Sequence, residues 1–166
     1  METGGEEDSA MIPIQDLFET HLTVSDLARS MRFYEEVLGL DIAQPFPERK
    51  ITFYWVGGRG NAMLGLWQAQ PGAKPPTLHI AFRVDLPDIF KAMESLRVAN
   101  VTPLDFERNP TTEPVVLAWM PAASLYFNDP DGNLLEFLCM LPDSPRPELG
   151  VISWSDWQNR SGRATK

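Results

Sequence analysis

The sequence predicts an α+β fold: two βαβββ modules forming paired curved sheets around a cleft, with the helices on the outside. Three observations predict it. Strands with alternating apolar side chains are each followed by a helical pattern. The order strand–helix–strand–strand–strand runs through the chain twice. The halves also share a residue pattern: His21, Asp26-Leu27 and Phe33 in the first answer to His79, Asp85-Leu86 and Phe90 in the second.

Taken in order, residues 1–12 are polar and acidic and are expected to be a disordered N-terminus. The domain is expected over residues 13–141, with modules at about 17–70 and 77–141, and a C-terminal extension over 142–166. "FETHLTV" reads as the first strand. "SDLARSMRFYEEVLGL" follows as a helix, with Ser25 or Asp26 as N-cap and Gly39 as its stop. Its apolar residues Leu27, Met31, Phe33, Tyr34, Val37 and Leu38 fall largely on one side. "KITFYWVG" and "NAMLGLWQA" read as two strands joined by Gly57-Gly58-Arg59-Gly60. "QPGAKPP" is a linker.

The plan then restarts. "TLHIAFRV" is a strand, and "LPDIFKAMESLRVAN" a helix with Pro87 in its first turn. "VTPLDF" is expected to be a short strand, and Glu107–Ala123 a long loop. Its apolar end (Val115, Val116, Leu117, Trp119, Met120) suits either a substrate lid or a packing or dimer-contact loop. "SLYFN" and "NLLEFLCM" are strands around an Asp129-Pro130-Asp131-Gly132 turn. In the extension, "VISWSDWQ" reads as a strand and a short helical turn packing outside.

Composition narrows the function. The 166 residues are 43% hydrophobic, which suits one compact domain or one built from two small halves. A formal net charge of −9 disfavours nucleic-acid binding, which needs a basic surface to replace phosphate counterions. No apolar run approaches the roughly 18 residues of a membrane span. The acidic start lacks a basic segment and an apolar core, so no signal peptide is expected and the expected compartment is the cytoplasm. The single cysteine, Cys139, excludes an internal disulfide and reads as a small apolar residue of its strand.

The chain has two histidines, and both fall in the first strand of a half. In the second half Leu78, Ile80, Phe82 and Val84 form an apolar face, which turns His79, Ala81 and Arg83 the other way. In the first half Leu22 and Val24 take the core role, leaving Glu19, His21 and Thr23 on the cleft face. In the last strand Leu135 and Phe137 suit the core, and Leu134, Glu136 and Leu138 the cleft. Glu136 stands in an apolar strand, where a carboxylate is costly unless paired, solvated or bound to a cation. His21, His79 and Glu136 thus form a candidate shell for a divalent ion (Mn, Fe, Ni, Co or Zn) with positions open to substrate. Trp55, Trp67, Tyr54 and Trp119 are candidates to line an apolar pocket. Thr23, Arg83 and Tyr126 are catalytic candidates, with Glu19 a further possible base. Arg83, Arg108 and Arg146 are candidate anion contacts, Arg83 foremost because of its face.

"HLTVSDLARSMRFYEEVLGLDI" and "LYFNDPDGNLLEFL" resemble the opening and closing signatures of the vicinal oxygen chelate superfamily. That group includes glyoxalase I, fosfomycin-resistance thiol transferases, methylmalonyl-CoA epimerase, extradiol dioxygenases and bleomycin-binding proteins. The resemblance spans about residues 17–140, and the 129–132 turn followed by Glu136 is its most specific part. It implies paired modules assembled as a homodimer, a small-molecule substrate, and a divalent metal chelated by substrate oxygens. By position it places ligands on His21, His79 and Glu136.

A fourth ligand position, occupied by glutamate in glyoxalase I, falls here on Gly65. Met63 and Trp67 share its face, and Gln68 would reach the cleft only through a bulge. The resemblance then implies a three-ligand enzyme of thiol-transferase or lyase type. The alternatives are a bleomycin-resistance-like binding protein without catalysis and an extradiol-type dioxygenase.

Overall fold

Strand alternation and helix amphipathicity both act to bury one face of each element, and the resulting layers can be followed along the chain. In the computed structural model, residues 13–161 are described; the expectation of a disordered N-terminus at residues 1–12 lies outside them. The elements are β1 (Glu19–Val24), α1 (Leu27–Arg32), β2 (Asp41–Phe46), β3 (Ile51–Val56), β4 (Ala62–Gln68), β5 (His79–Arg83), α2 (Leu86–Val98), β6 (Val115–Leu117), β7 (Ala122–Asn128), β8 (Leu134–Met140), β9 (Val151–Ser153) and α3 (Trp154–Ser161). They build two sheets, β1-β4-β3-β2 and β5-β8-β7-β6-β9. In each, the first strand pairs in parallel with the last of its module, β1 with β4 and β5 with β8.

Asp26 caps α1 by accepting a hydrogen bond from the Arg29 amide at 3.0 Å, satisfying an otherwise unpaired donor. The helix widens into a π turn over Phe33–Val37, and Gly39, at φ +66°, ends it. Pro87 sits in the first turn of α2, where no amide hydrogen is needed. Leu22, Val24, Tyr34, Leu64 and Leu66 from the first module and Ile89, Leu125, Phe127 and Leu135 from the second share one fully buried core. Each such side chain contributes about 1.5–3 kcal/mol by leaving water. Because this core lies on the helical side of both sheets, their opposite faces carry the exposed polar residues of β1 and β5.

Two strands differ from expectation. β2 is an edge strand containing Pro45, with an irregular register between Ile42 and Gln44. In the second module the short strand is Val115–Leu117 rather than the "VTPLDF" segment, where Leu104 makes only isolated bridges to Pro110 and Tyr126. Val115, Val116 and Leu117 are buried between β7 and β9, so this part of the long loop is core and not a lid. Nor does the C-terminal segment pack outside: β9 adds a fifth strand to the second sheet, and Trp157 of α3 is 1% exposed within the core.

The Asp129–Gly132 turn joins the modules. Asp129 accepts a hydrogen bond from the Tyr34 hydroxyl at 3.0 Å and two more from Asn133. Asp131 accepts from the Ser25 amide and hydroxyl, the Ser30 hydroxyl and the Arg29 guanidinium. The most specific sequence signature is therefore a clasp between α1 and the β7–β8 turn.

Candidate functional site

In the second module, β8 runs between β5 and β7, so Glu136 has Ala81 on one side and Tyr126 on the other. Glu136 is 4% exposed. Its Oε2 lies 3.1 Å from His79 Nε2, and its Oε1 is buried without a hydrogen-bond partner. His79 Nδ1 lies 3.1 Å from the Leu134 carbonyl, an acceptor, which places the ring hydrogen on Nδ1. Nε2 faces a carboxylate oxygen, meeting it with a lone pair in the neutral ring and with a hydrogen in the imidazolium. Two acceptors at that separation are held together by a positive charge between them, a proton or a metal cation.

Tyr126 closes this site, with its ring 6.2 Å from that of His79 and 6.1 Å from that of Phe106. Burial and the neighbouring Glu136 carboxylate push its hydroxyl pKa upward. The hydroxyl therefore keeps its hydrogen and serves as a wall and a hydrogen-bond donor rather than a base.

In the first module, His21 lies exposed on β1, directly opposite Gly65 of β4. A Cβ on Gly65 would stand 2.7 Å from His21 Cδ2 and 2.9 Å from Phe53 Cε1, so glycine makes the seat for the imidazole. The His21 ring packs at 5.3 Å from Trp67 and 5.6 Å from Phe53, and Phe46 stacks edge-on against Phe53 at 5.9 Å. The Arg49 guanidinium lies 5.5 Å from the Trp67 ring, a cation–π distance. His21 Nε2 is 2.7 Å from Glu19 Oε1.

Phe46, Phe53 and Arg49 are residues that sequence reasoning missed. Phe53 had a signal, since it alternates with Trp55 along β3 and opposes Gly65. Phe46 and Arg49 had none without β2 and the tight turn that follows it.

Other expected residues fall as follows. Thr23 is exposed, opposite Trp67, on the same face as His21. Trp55 shares that face, opposite Met63. Tyr54 instead points into the core, fully buried, with its hydroxyl donating to Glu35 at 2.8 Å. The β1–β4 register runs unbroken to Val24–Gln68, so no bulge turns Gln68 toward the Gly65 face. Arg83 is exposed on the His79 face, opposite Leu138. Arg108 sits in the loop before β6 with φ +68°, and Arg146 is engaged by Glu148 and the Arg160 carbonyl. Trp119 is 57% exposed in the β6–β7 turn, at the end of β7 away from the Asp129 turn. Cys139 is partly buried against the core.

The fold thus joins His79 with Glu136 and, separately, His21 with Glu19. Among the described residues no three His, Cys, Asp or Glu side chains gather closely enough to hold a metal ion. The sheets meet at a cavity of about 130 Å³, lined by Glu19, Thr20 and Met63 from one and Ile80, Ala81 and Phe82 from the other.

Fold and signatures agree with a known family. Residues 16–137 match the model for the Glyoxalase/Bleomycin resistance protein/Dioxygenase superfamily, and the chain belongs to that family. It is 30% identical over 131 residues to a lactoylglutathione lyase of Haemophilus influenzae, covering 74% of this chain and 90% of the relative. It is 30% identical over 120 residues to virulence protein STM3117 of Salmonella typhimurium, covering 69% of this chain and 77% of that one. Among solved structures it is similar to integron cassette protein HFX_CASS4, from the mobile metagenome of the Halifax Harbour sewage outfall. The TM-score there is 0.65 at 32% identity, covering 76% of this chain and all of the other. No helix among the described residues is long and apolar enough to cross a membrane.

Proposed function

We propose that the protein is a metal-dependent small-molecule enzyme of this superfamily, of lyase or thiol-transferase type, working as a homodimer. His79 and Glu136 of one copy and His21 of the other would hold a divalent cation. The observation that carries the proposal is Glu136: one carboxylate oxygen is buried without a hydrogen-bond partner, and the other stands 3.1 Å from His79 Nε2. A buried carboxylate left in that state costs a few kcal/mol, and a cation between the two donors removes the cost. Two copies are invoked because each chain presents half-sites on separate sheets. The lyase type is supported by the 30% identity to a lactoylglutathione lyase.

When bound, the cation would act as a Lewis acid toward adjacent substrate oxygens, stabilising negative charge there. The chain's own residues do the rest. Trp67, Phe53 and Phe46 offer an apolar wall to the substrate, and Arg49 above Trp67 is placed to meet an anionic group. Tyr126 keeps its proton and can donate a hydrogen bond to a substrate oxygen beside Glu136. Gly65 leaves no side chain between His21 and Phe53, so the imidazole stays fixed against the wall.

The test is metal analysis of the purified protein, followed by assay of the metal-loaded form for formation or breakdown of lactoylglutathione. Stoichiometric metal with turnover supports the reading. Metal without turnover moves it to another thiol reaction of the family. If no divalent ion binds and small molecules still do, the protein is a binder without catalysis.

A further inference from the structure

The first module lacks a carboxylate at the β4 position facing His21, yet the space beside Gly65 is not vacant. The His21 ring fills it, 2.7 Å from where a Cβ would stand. A longer side chain there would displace the imidazole rather than join it. A carboxylate reaches His21 from another direction. Glu19 precedes it by two residues on β1, and the strand period of two puts both on one face. Glu19 Oε1 lies 2.7 Å from His21 Nε2.

The second module repeats the spacing, with His79 Nε2 and Glu136 Oε2 3.1 Å apart. Two ligand atoms each about 2.0–2.2 Å from one cation, at roughly 90–110° to each other, stand about 2.8–3.6 Å apart. The 3.1 Å pair of the second module falls inside that range, and the 2.7 Å pair of the first lies just below it. Each module therefore presents one imidazole nitrogen and one carboxylate oxygen at or close to ligand spacing.

We propose that Glu19 is the fourth metal ligand, taking from β1 the place that Gly65 of β4 cannot fill. The proposal rests on the dimeric metal site described above. It makes the donor set two histidines and two carboxylates. Two carboxylate charges cancel those of a divalent ion, so the site as a whole is neutral. Such a centre favours uncharged or singly charged substrate oxygens over dianions such as phosphonates.

The experiment compares the full-length wild type with Glu19→Gln, Glu19→Ala and His79→Ala. Zn²⁺ and Co²⁺ affinities are measured by calorimetry, and the visible spectrum of the Co²⁺ forms is recorded. Glu19 is an exposed residue, and thermal melts establish that the variants are folded. Loss of a direct ligand is expected to weaken Zn²⁺ binding by more than the 10–100-fold typical of an outer-shell partner, and to shift the Co²⁺ bands. Wild-type affinity in Glu19→Gln, alongside lost affinity in His79→Ala, would overturn the proposal and leave the His21, His79 and Glu136 site standing. Weakened affinity with an unchanged Co²⁺ spectrum would also overturn it, making Glu19 a positioning residue for His21. If the wild type binds neither ion, the metal site itself fails, and this proposal with it.

Discussion

His21 and His79 stand at equivalent places in the two modules, but their carboxylate partners sit in different surroundings. Glu19 shares the strand of His21, and the two side chains are 39% and 41% exposed. Glu136 comes from the strand beside His79, and its side chain is 5% exposed, against 48% for the histidine side chain. Water screens the first pair, which is then worth no more than an ordinary surface ion pair. The second pair holds a desolvated carboxylate with one oxygen unpartnered. Only the second is costly to the folded chain in isolation, and a group retained at such a cost points to a ligand. The difference separates a desolvated anchor in the second module from a water-exposed pair in the first.

The largest expected effect falls on the anchor. Glu136→Leu should remove divalent-metal binding, a loss above 100-fold by calorimetry. The same change should leave the metal-free protein as stable as wild type or more stable by about 1 kcal/mol in urea unfolding, since it deletes a buried unpaired oxygen. A large destabilisation would mean that Glu136 serves the fold and not a ligand. Next in size, Gly65→Ala should push the His21 ring from its seat and weaken Zn²⁺ binding by about 10-fold, with His79 unaffected in NMR spectra. Unaltered affinity would show that the position of His21 is not set by Gly65.

Smaller effects concern the clasp, which joins the modules but takes no part in either pair. Tyr34→Phe removes the buried hydrogen bond to Asp129 and should cost about 1–2 kcal/mol of stability, leaving metal affinity unchanged. Burial by itself would raise the carboxyl pKa of Asp131. The Ser25 hydroxyl and amide, then Arg29, outweigh that and hold it below its ordinary value of 3.8. A depressed carboxylate stabilises the fold above the unfolded pKa, and that stabilisation is lost as pH falls through the lower folded value. Melting temperature should therefore drop below about pH 4, and Asp131→Asn should flatten that part of the profile while lowering stability at neutral pH.

The faces of β1, β5 and β8 were legible because each strand buries one side, and a period of two shows directly in the residue order. Leu22 and Val24 against His21, and Leu135 against Glu136, are enough to aim the histidines and the carboxylate away from the core. β6 was not legible: Val115, Val116 and Leu117 are all buried, so no alternation marks them, and their partner β9 lies far along the chain. β2 was hidden by Pro45 and by an irregular register at an edge. The Asp129–Gly132 turn was visible as a signature, but its hydrogen bonds to Ser25, Arg29 and Tyr34 depend on a contact between modules that no local pattern encodes. The pairing of His21 with Glu19 required the register that puts Gly65 across from the imidazole. That sheet pairing is equally non-local.

The central claim, that His21 of one copy works with His79 and Glu136 of another, is tested most directly by mixing subunits. His21→Ala and His79→Ala homodimers should each bind no metal tightly. After unfolding and refolding together in equal amounts, half the dimers carry one of each chain, and each such dimer has one intact site of two. Tight metal binding should then return to about a quarter of the wild-type stoichiometry. A mixture that stays empty, beside a wild type that binds one ion per chain, would place all the ligands within a single chain and contradict the account.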